Sequence, residues 1–162
     1  MNKLPKWEVL KGYYPAQKAE DVFKLIGGKV ELNFDMGVFN NACATRVSRA
    51  LNASGGIHVI PYFEDIGPSG KMESQVSSGR NKQWHIFRVK MLVKHLTKFY
   101  GKSEELKPYE YKEKVKGRKG IIVFEVSGWS DATGHADLWD GYRCLWKGYG
   151  GVADKVLFWE AS

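Results

Sequence analysis

The sequence predicts an α+β domain, with N-terminal helices packed on a C-terminal antiparallel sheet. Three stretches carry that expectation. From Ala42 to Ala53 apolar or small residues recur at helical spacing: Cys43, Val47, Ala50 and Leu51, with the same face continuing to Ser54. Gly120-Ile121-Ile122-Val123-Phe124-Glu125-Val126 holds the continuous apolar run of a central strand. Asp140-Gly141 divides His135–Trp139 from Tyr142–Trp146, the pattern of a tight hairpin.

The elements follow in order. Ala16 to Ile26 reads as a short helix with Val22, Phe23 and Ile26 on one face, stopped by Gly27-Gly28. Residues 29–40 are a mixed stretch. Asn41 is placed to cap the helix that carries Cys43, and Gly55-Gly56 to end it. Ile57 to Tyr62 reads as a short strand or extended segment. Residues 64–83, rich in Gly, Ser and charge, read as a long loop, either a functional lid or a surface insertion. Residues 85–100 form a second helix with Val89, Leu92, Val93, Leu96 and Phe99 as its stripe. His85 and His95 are assigned to it, with His95 at the surface or edge. Residues 102–119 carry charges of both signs, the pattern of a solvated connection. Lys155 to Glu160 reads as the last strand.

The chain of 162 residues is long enough to bury one core, so a single domain over 1–162 is expected. Hydrophobic content of 43% argues for a folded chain. No run of 18 apolar residues suggests a membrane span. The N-terminus, with Lys3, Lys6, Glu8 and Lys11, lacks the apolar stretch of a secretory signal peptide. A net charge of +7 suits an anionic partner, whether nucleic acid, anionic lipid or an acidic polymer such as peptidoglycan. No nucleic-acid-binding motif accompanies it, and no nucleic-acid partner is expected. The four histidines are scattered and no metal-ligand motif occurs, so neither metal nor cofactor is expected. Two cysteines, Cys43 and Cys144, allow at most one disulfide.

Cys43 lies in the first turn of its helix, where unpaired amides and the positive end of the helix dipole favour a thiolate and an oxyanion. A buried structural thiol is the alternative. His135 supplies what a nucleophilic thiol needs, an imidazole to take its proton and return it to a leaving amine. A thiol at a helix start followed by a strand histidine is the layout of a papain-like cysteine hydrolase. If Asp140-Gly141 is a two-residue turn, His135 faces Trp146 and Asp137 faces Cys144, and period-two alternation puts all four on one face.

The segment from Asn41 to Asn52 resembles the cysteine motif of the type VI secretion amidase effectors, specifically their fourth family. Gly120 to Phe124 followed by Val126 to Gly141 resembles that family's histidine region. The resemblance spans roughly Pro5 to Trp159. It implies an NlpC-like papain fold and a cell-wall amidase that cuts the peptidoglycan stem peptide between D-glutamate and meso-diaminopimelate. It further implies injection by the type VI secretion machinery, without a signal peptide, from the producer's cytoplasm into a target's periplasm. A cognate immunity protein is implied in the producer. The motif carries over Cys43 as nucleophile and His135 as base. The family pattern has an aspartate two residues past a cysteine matched by Cys144, and here that position is Trp146. Asp137, a bulge, a backbone carbonyl or a water are the candidates to orient the ring, and Asp137 is the side chain named for it. A papain-like acyltransferase, a protein-directed protease and a basic nucleic-acid-binding module are the alternatives in function.

Overall fold

A computed structural model of the chain describes residues 1–127, 134–148 and 152–162. Among the described residues, five longer helices come before or beside the sheet: α1 (Trp7–Tyr13), α2 (Ala19–Ile26), α3 (Gly28–Asp35), α4 (Cys43–Ser54) and α5 (Val89–Tyr100). A short α6 (Tyr111–Lys114) precedes the last three strands. The main sheet runs β5 (Glu104–Leu106), β8 (Lys155–Glu160), β6 (Gly120–Glu125), β7 (Gly134–Trp139), with every pairing antiparallel.

β6 is the interior strand its apolar run implies, with β8 on one side and β7 on the other. Alternation splits the sheet into two packed faces. Ile121, Val123, Ala136, Leu138, Leu157 and Trp159 pack with α1, α4 and α5. Ile122, Phe124, Trp139, Val156 and Phe158 pack with Leu106, Tyr111 and Val115. All six residues of β7 are buried although it ends the sheet, because α4 lies against it. That contact brings the first turn of α4 to the first residues of β7.

Several expectations need correction. α1 lies where no element was expected, held by Trp7 and Leu10 in the core. Gly27 ends α2 as expected, with φ +67, but α3 begins at once in the stretch read as mixed. Residues 56–58 form a 3₁₀ turn, not an extended segment. The expected loop holds two small hairpins, β1 (Glu64–Ile66) with β2 (Met72–Ser74) and β3 (Val76–Ser78) with β4 (Trp84–Ile86). His85 therefore sits in β4, outside the helix, which starts at Val89. His95 is buried at 6% exposure between the rings of Phe63 and Phe99.

The hairpin is also different. Asp140 Oδ1 accepts from the Tyr142 and Arg143 amides at 2.8 and 2.9 Å, which widens the turn to four residues. Trp139 then pairs with Cys144, where a two-residue turn would have paired it with Tyr142. Leu145 N–H still bonds the Leu138 carbonyl, but Tyr142–Trp146 forms no strand. The segment resembling the family's histidine region also includes residues 128–133, which lie outside those described.

Candidate active site

The α4 pattern holds from its first residue: Cys43, Val47, Ala50 and Leu51 are all buried. Asn41 serves the helix start, though one position earlier than a standard cap. Its Oδ1 accepts the Cys43 N–H at 2.9 Å, and the ladder begins with Arg46 N–H on the Ala42 carbonyl at 2.8 Å. The Cys43 amide is thus already engaged, and the first-turn amides imagined as oxyanion donors do not include it in this state.

Cys43 Sγ stands 2.7 Å from His135 Nδ1, with 5% and 2% of the two residues exposed. The sequence separates them by 92 positions, and the packing of α4 on β7 closes that distance. Burial pulls the imidazole down, but hydrogen bonds and charge from Asp137 and Cys43 outweigh it and raise His135 to about 9. The ring is thereby biased to imidazolium at neutral pH, facing the sulfur.

Asp137 is fully buried two residues along β7. Its Oδ1 accepts from Tyr14 Oη at 2.9 Å and Leu138 N–H at 2.8 Å, and its Oδ2 from Lys147 N–H at 2.8 Å. Trp146 N–H lies 3.2 Å from both oxygens. His135 Nε2 is 3.3 Å from Oδ2 and 2.6 Å from the Lys147 carbonyl oxygen. Burial, then the charge of Asp137, raises the Tyr14 phenol well above its usual value, so it donates as a neutral hydroxyl.

The structure thus brings together all three residues expected from the sequence, Cys43, His135 and Asp137. It corrects Trp146, whose backbone meets Asp137 where the two-residue turn had placed its side chain opposite His135. Neither Cys144 nor Cys43 is in a disulfide. Burial, with Asp137 and Asp140 behind it, pushes the Cys144 thiol far up. One contributor, Tyr14, was missed, and the Lys147 carbonyl was anticipated only as an unnamed backbone carbonyl. Tyr14 is 123 residues from Asp137 and carries no local signature, and the Lys147 carbonyl is backbone, so no residue type announces it. Among the described residues no group of three or more His, Cys, Asp or Glu is placed to hold a metal ion.

Residues 39–159 match the family described as type VI secretion system (T6SS), amidase effector protein 4. The chain belongs to this family. It is similar to a chain of the crystal structure of the type VI effector–immunity complex Tae4–Tai4 from Enterobacter cloacae, with TM-score 0.82 and 29% identity over 100% of both chains. It is similar to the type VI effector Tae4 from Enterobacter cloacae, with TM-score 0.78 and 31% identity over 100% of this chain and 98% of that one. A chain of the complex of Tae4 from Salmonella typhimurium with the immunity Tai4 from Enterobacter cloacae matches at TM-score 0.80 and 29% identity, over 98% of this chain and 99% of that one. No curated protein matches. The α+β, papain-like architecture read from the sequence is that of this effector family. The chain is an amidase effector, and among its described residues no helix is long and apolar enough to cross a membrane.

Proposed function

We propose that residues 1–162 form one cysteine amidase domain that cleaves the peptidoglycan stem peptide between D-glutamate and meso-diaminopimelate. The observation that carries this reading is the buried Cys43 Sγ–His135 Nδ1 contact of 2.7 Å in a chain of the amidase effector family.

The chemistry follows from the pair. With the proton on His135 Nδ1, Cys43 is a thiolate, and its sulfur attacks the carbonyl carbon of the stem amide. The C–N bond breaks as Nδ1–H protonates the leaving amine, which leaves a thioester on Cys43 and a neutral imidazole. That imidazole takes a proton from water. The hydroxide adds to the thioester, the C–S bond breaks, and acid and thiolate–imidazolium pair are regenerated. Asp137 supports the imidazolium by its charge, the role of the third member of such sites.

The net charge of +7 favours approach to a polymer whose stems carry free carboxylates. Delivery by the type VI machinery without a signal peptide, action in the periplasm of the target cell and neutralisation by a cognate immunity protein complete the reading. The solved effector–immunity complexes support the last of these. The test is muropeptide release from purified sacculi, with the cut bond assigned by mass spectrometry. Native protein is expected to release stems with a new D-glutamate α- or γ-carboxyl and a free diaminopimelate amine, and Cys43→Ala to release none. Equal release by both proteins would overturn the reading.

A further inference from the structure

We infer that the backbone carbonyl of Lys147 receives the Nε2–H of His135, and that Trp146 and Arg46 are the positioning residues that hold this carbonyl in place. The inference deepens the cysteine-amidase reading and rests on it.

The first support is distance. Nε2 carries one hydrogen, and the Lys147 oxygen at 2.6 Å is a far better acceptor position than Asp137 Oδ2 at 3.3 Å. The second is capacity. A carboxylate offers about four lone-pair positions. Oδ1 already takes Tyr14 Oη and Leu138 N–H, and Oδ2, the oxygen nearest His135, takes Lys147 N–H and shares the Trp146 N–H that lies 3.2 Å from both oxygens. Asp137 therefore meets His135 through its charge and the longer 3.3 Å contact, and holds the 146–147 segment as a backbone anchor.

Third, a clamp fixes the same segment from the other side. The Arg46 guanidinium lies 4.8 Å from the Trp146 ring centroid. Its Nε and Nη2 donate to the Gln17 carbonyl at 3.2 and 2.8 Å, and only 3% of Arg46 is exposed. Arg46 stands one turn after Cys43 on α4. One helix thus carries both the nucleophile and the group that holds the imidazole's orienting carbonyl. A tryptophan at 146 offers the guanidinium a ring face, which an aspartate there would not.

Asp137→Asn, Trp146→Phe and Trp146→Ala separate charge from position. Steady-state kinetics on a soluble muropeptide give kcat, KM and the alkaline limb of the pH profile. Spectra of ¹⁵N-histidine-labelled protein report the Nε2–H of His135 without turnover. Trp146→Ala is expected to lower kcat about 10- to 100-fold through misplacement of the ring, with KM changed less than about 2-fold. Its alkaline limb should stay near pH 9, because Asp137 and Cys43 remain beside the ring. Trp146→Phe should recover most of kcat, and Asp137→Asn should move the limb to lower pH. In the labelled spectra, the Nε2–H resonance should shift or exchange faster in Trp146→Ala than in Trp146→Phe.

Native kcat and an unchanged Nε2–H signal in Trp146→Ala would overturn the inference, as would a rise in KM alone, which makes Trp146 a substrate wall. An alkaline limb displaced as far as in Asp137→Asn would overturn it too. Should Trp146→Ala not fold, Arg46→Lys gives the same decision, since it keeps the charge but loses the planar stack. Failure of the amidase reading itself shows as native protein no more active than Cys43→Ala. The Nε2–H signal decides the inference even then.

Discussion

Two buried imidazoles are pushed in opposite directions by their surroundings. His95, on α5, is 6% exposed and packed between Phe63 and Phe99; burial, then the nearby Lys98 charge, lowers it to about 4. His135, on β7, is 2% exposed, yet it is raised to about 9 by Asp137 and the Cys43 sulfur against the same effect of burial. Seclusion from water alone makes a neutral ring that serves packing. Seclusion together with a buried carboxylate and a thiol makes a proton donor and acceptor aimed at a nucleophile.

The comparison breaks most visibly when the rings are removed. His135→Ala or Cys43→Ala is expected to reduce stem cleavage by about 10³-fold or more, measured as muropeptide release. His95→Phe, which keeps the aromatic packing, should leave cleavage within about 2-fold of native.

Asp137→Asn sharpens it by taking from His135 the carboxylate that His95 lacks. The alkaline limb of kcat/KM should fall from about 9 toward neutrality, and activity at pH 8 should drop about 10-fold. Stability should respond as well. Because the folded His135 value is raised, its contribution is complete below about 6.5 and is lost as pH rises through about 9. Denaturant midpoints of the native protein should therefore decline between those limits, and those of Asp137→Asn should decline less.

At the acidic end the sign reverses. His95 and His85 are both lowered to about 4, so their burial as neutral rings costs nothing above about 6.5 and destabilises the fold as pH falls toward 4. The loss is of order 3 kcal/mol per ring at its limit. His95→Phe should flatten its share, read from urea midpoints at pH 4.5 and 7.

The smallest effect is expected at the second cysteine. Cys144→Ala should change activity less than about 2-fold, since burial keeps its thiol protonated. Iodoacetamide should label Cys144 slowly even at pH 8, measured by peptide mass spectrometry.

How much of this was legible varied with the regularity of the chain. β8 was read to the residue because its four apolar residues lie between Lys155 and Glu160, and α4 to within one at each end because it repeats one period long enough to count. β1 to β4 span three residues each, too short to leave an alternating pattern, so the stretch read as a loop. α3 buries only Val30, and its pattern is not amphipathic enough to stand out from a loop. Cys43 and His135 were legible because the chemistry restricts residue type and the surrounding motifs restrict place. The turn register was not, because the side chain of Asp140 binds two amides and widens a turn whose sequence reads as two residues. The Lys147 carbonyl had no signal at all, since every residue has one.

The most direct measurement is a ¹⁵N-detected titration of the four histidines, assigned with His85→Phe, His95→Phe and His135→Ala variants. His135 is expected to hold its proton through neutral pH and release it near 9, while His85 and His95 stay neutral until about 4. A His135 that titrates at or below 6.5, alongside its buried counterparts, would contradict the imidazolium–thiolate pair on which the site depends.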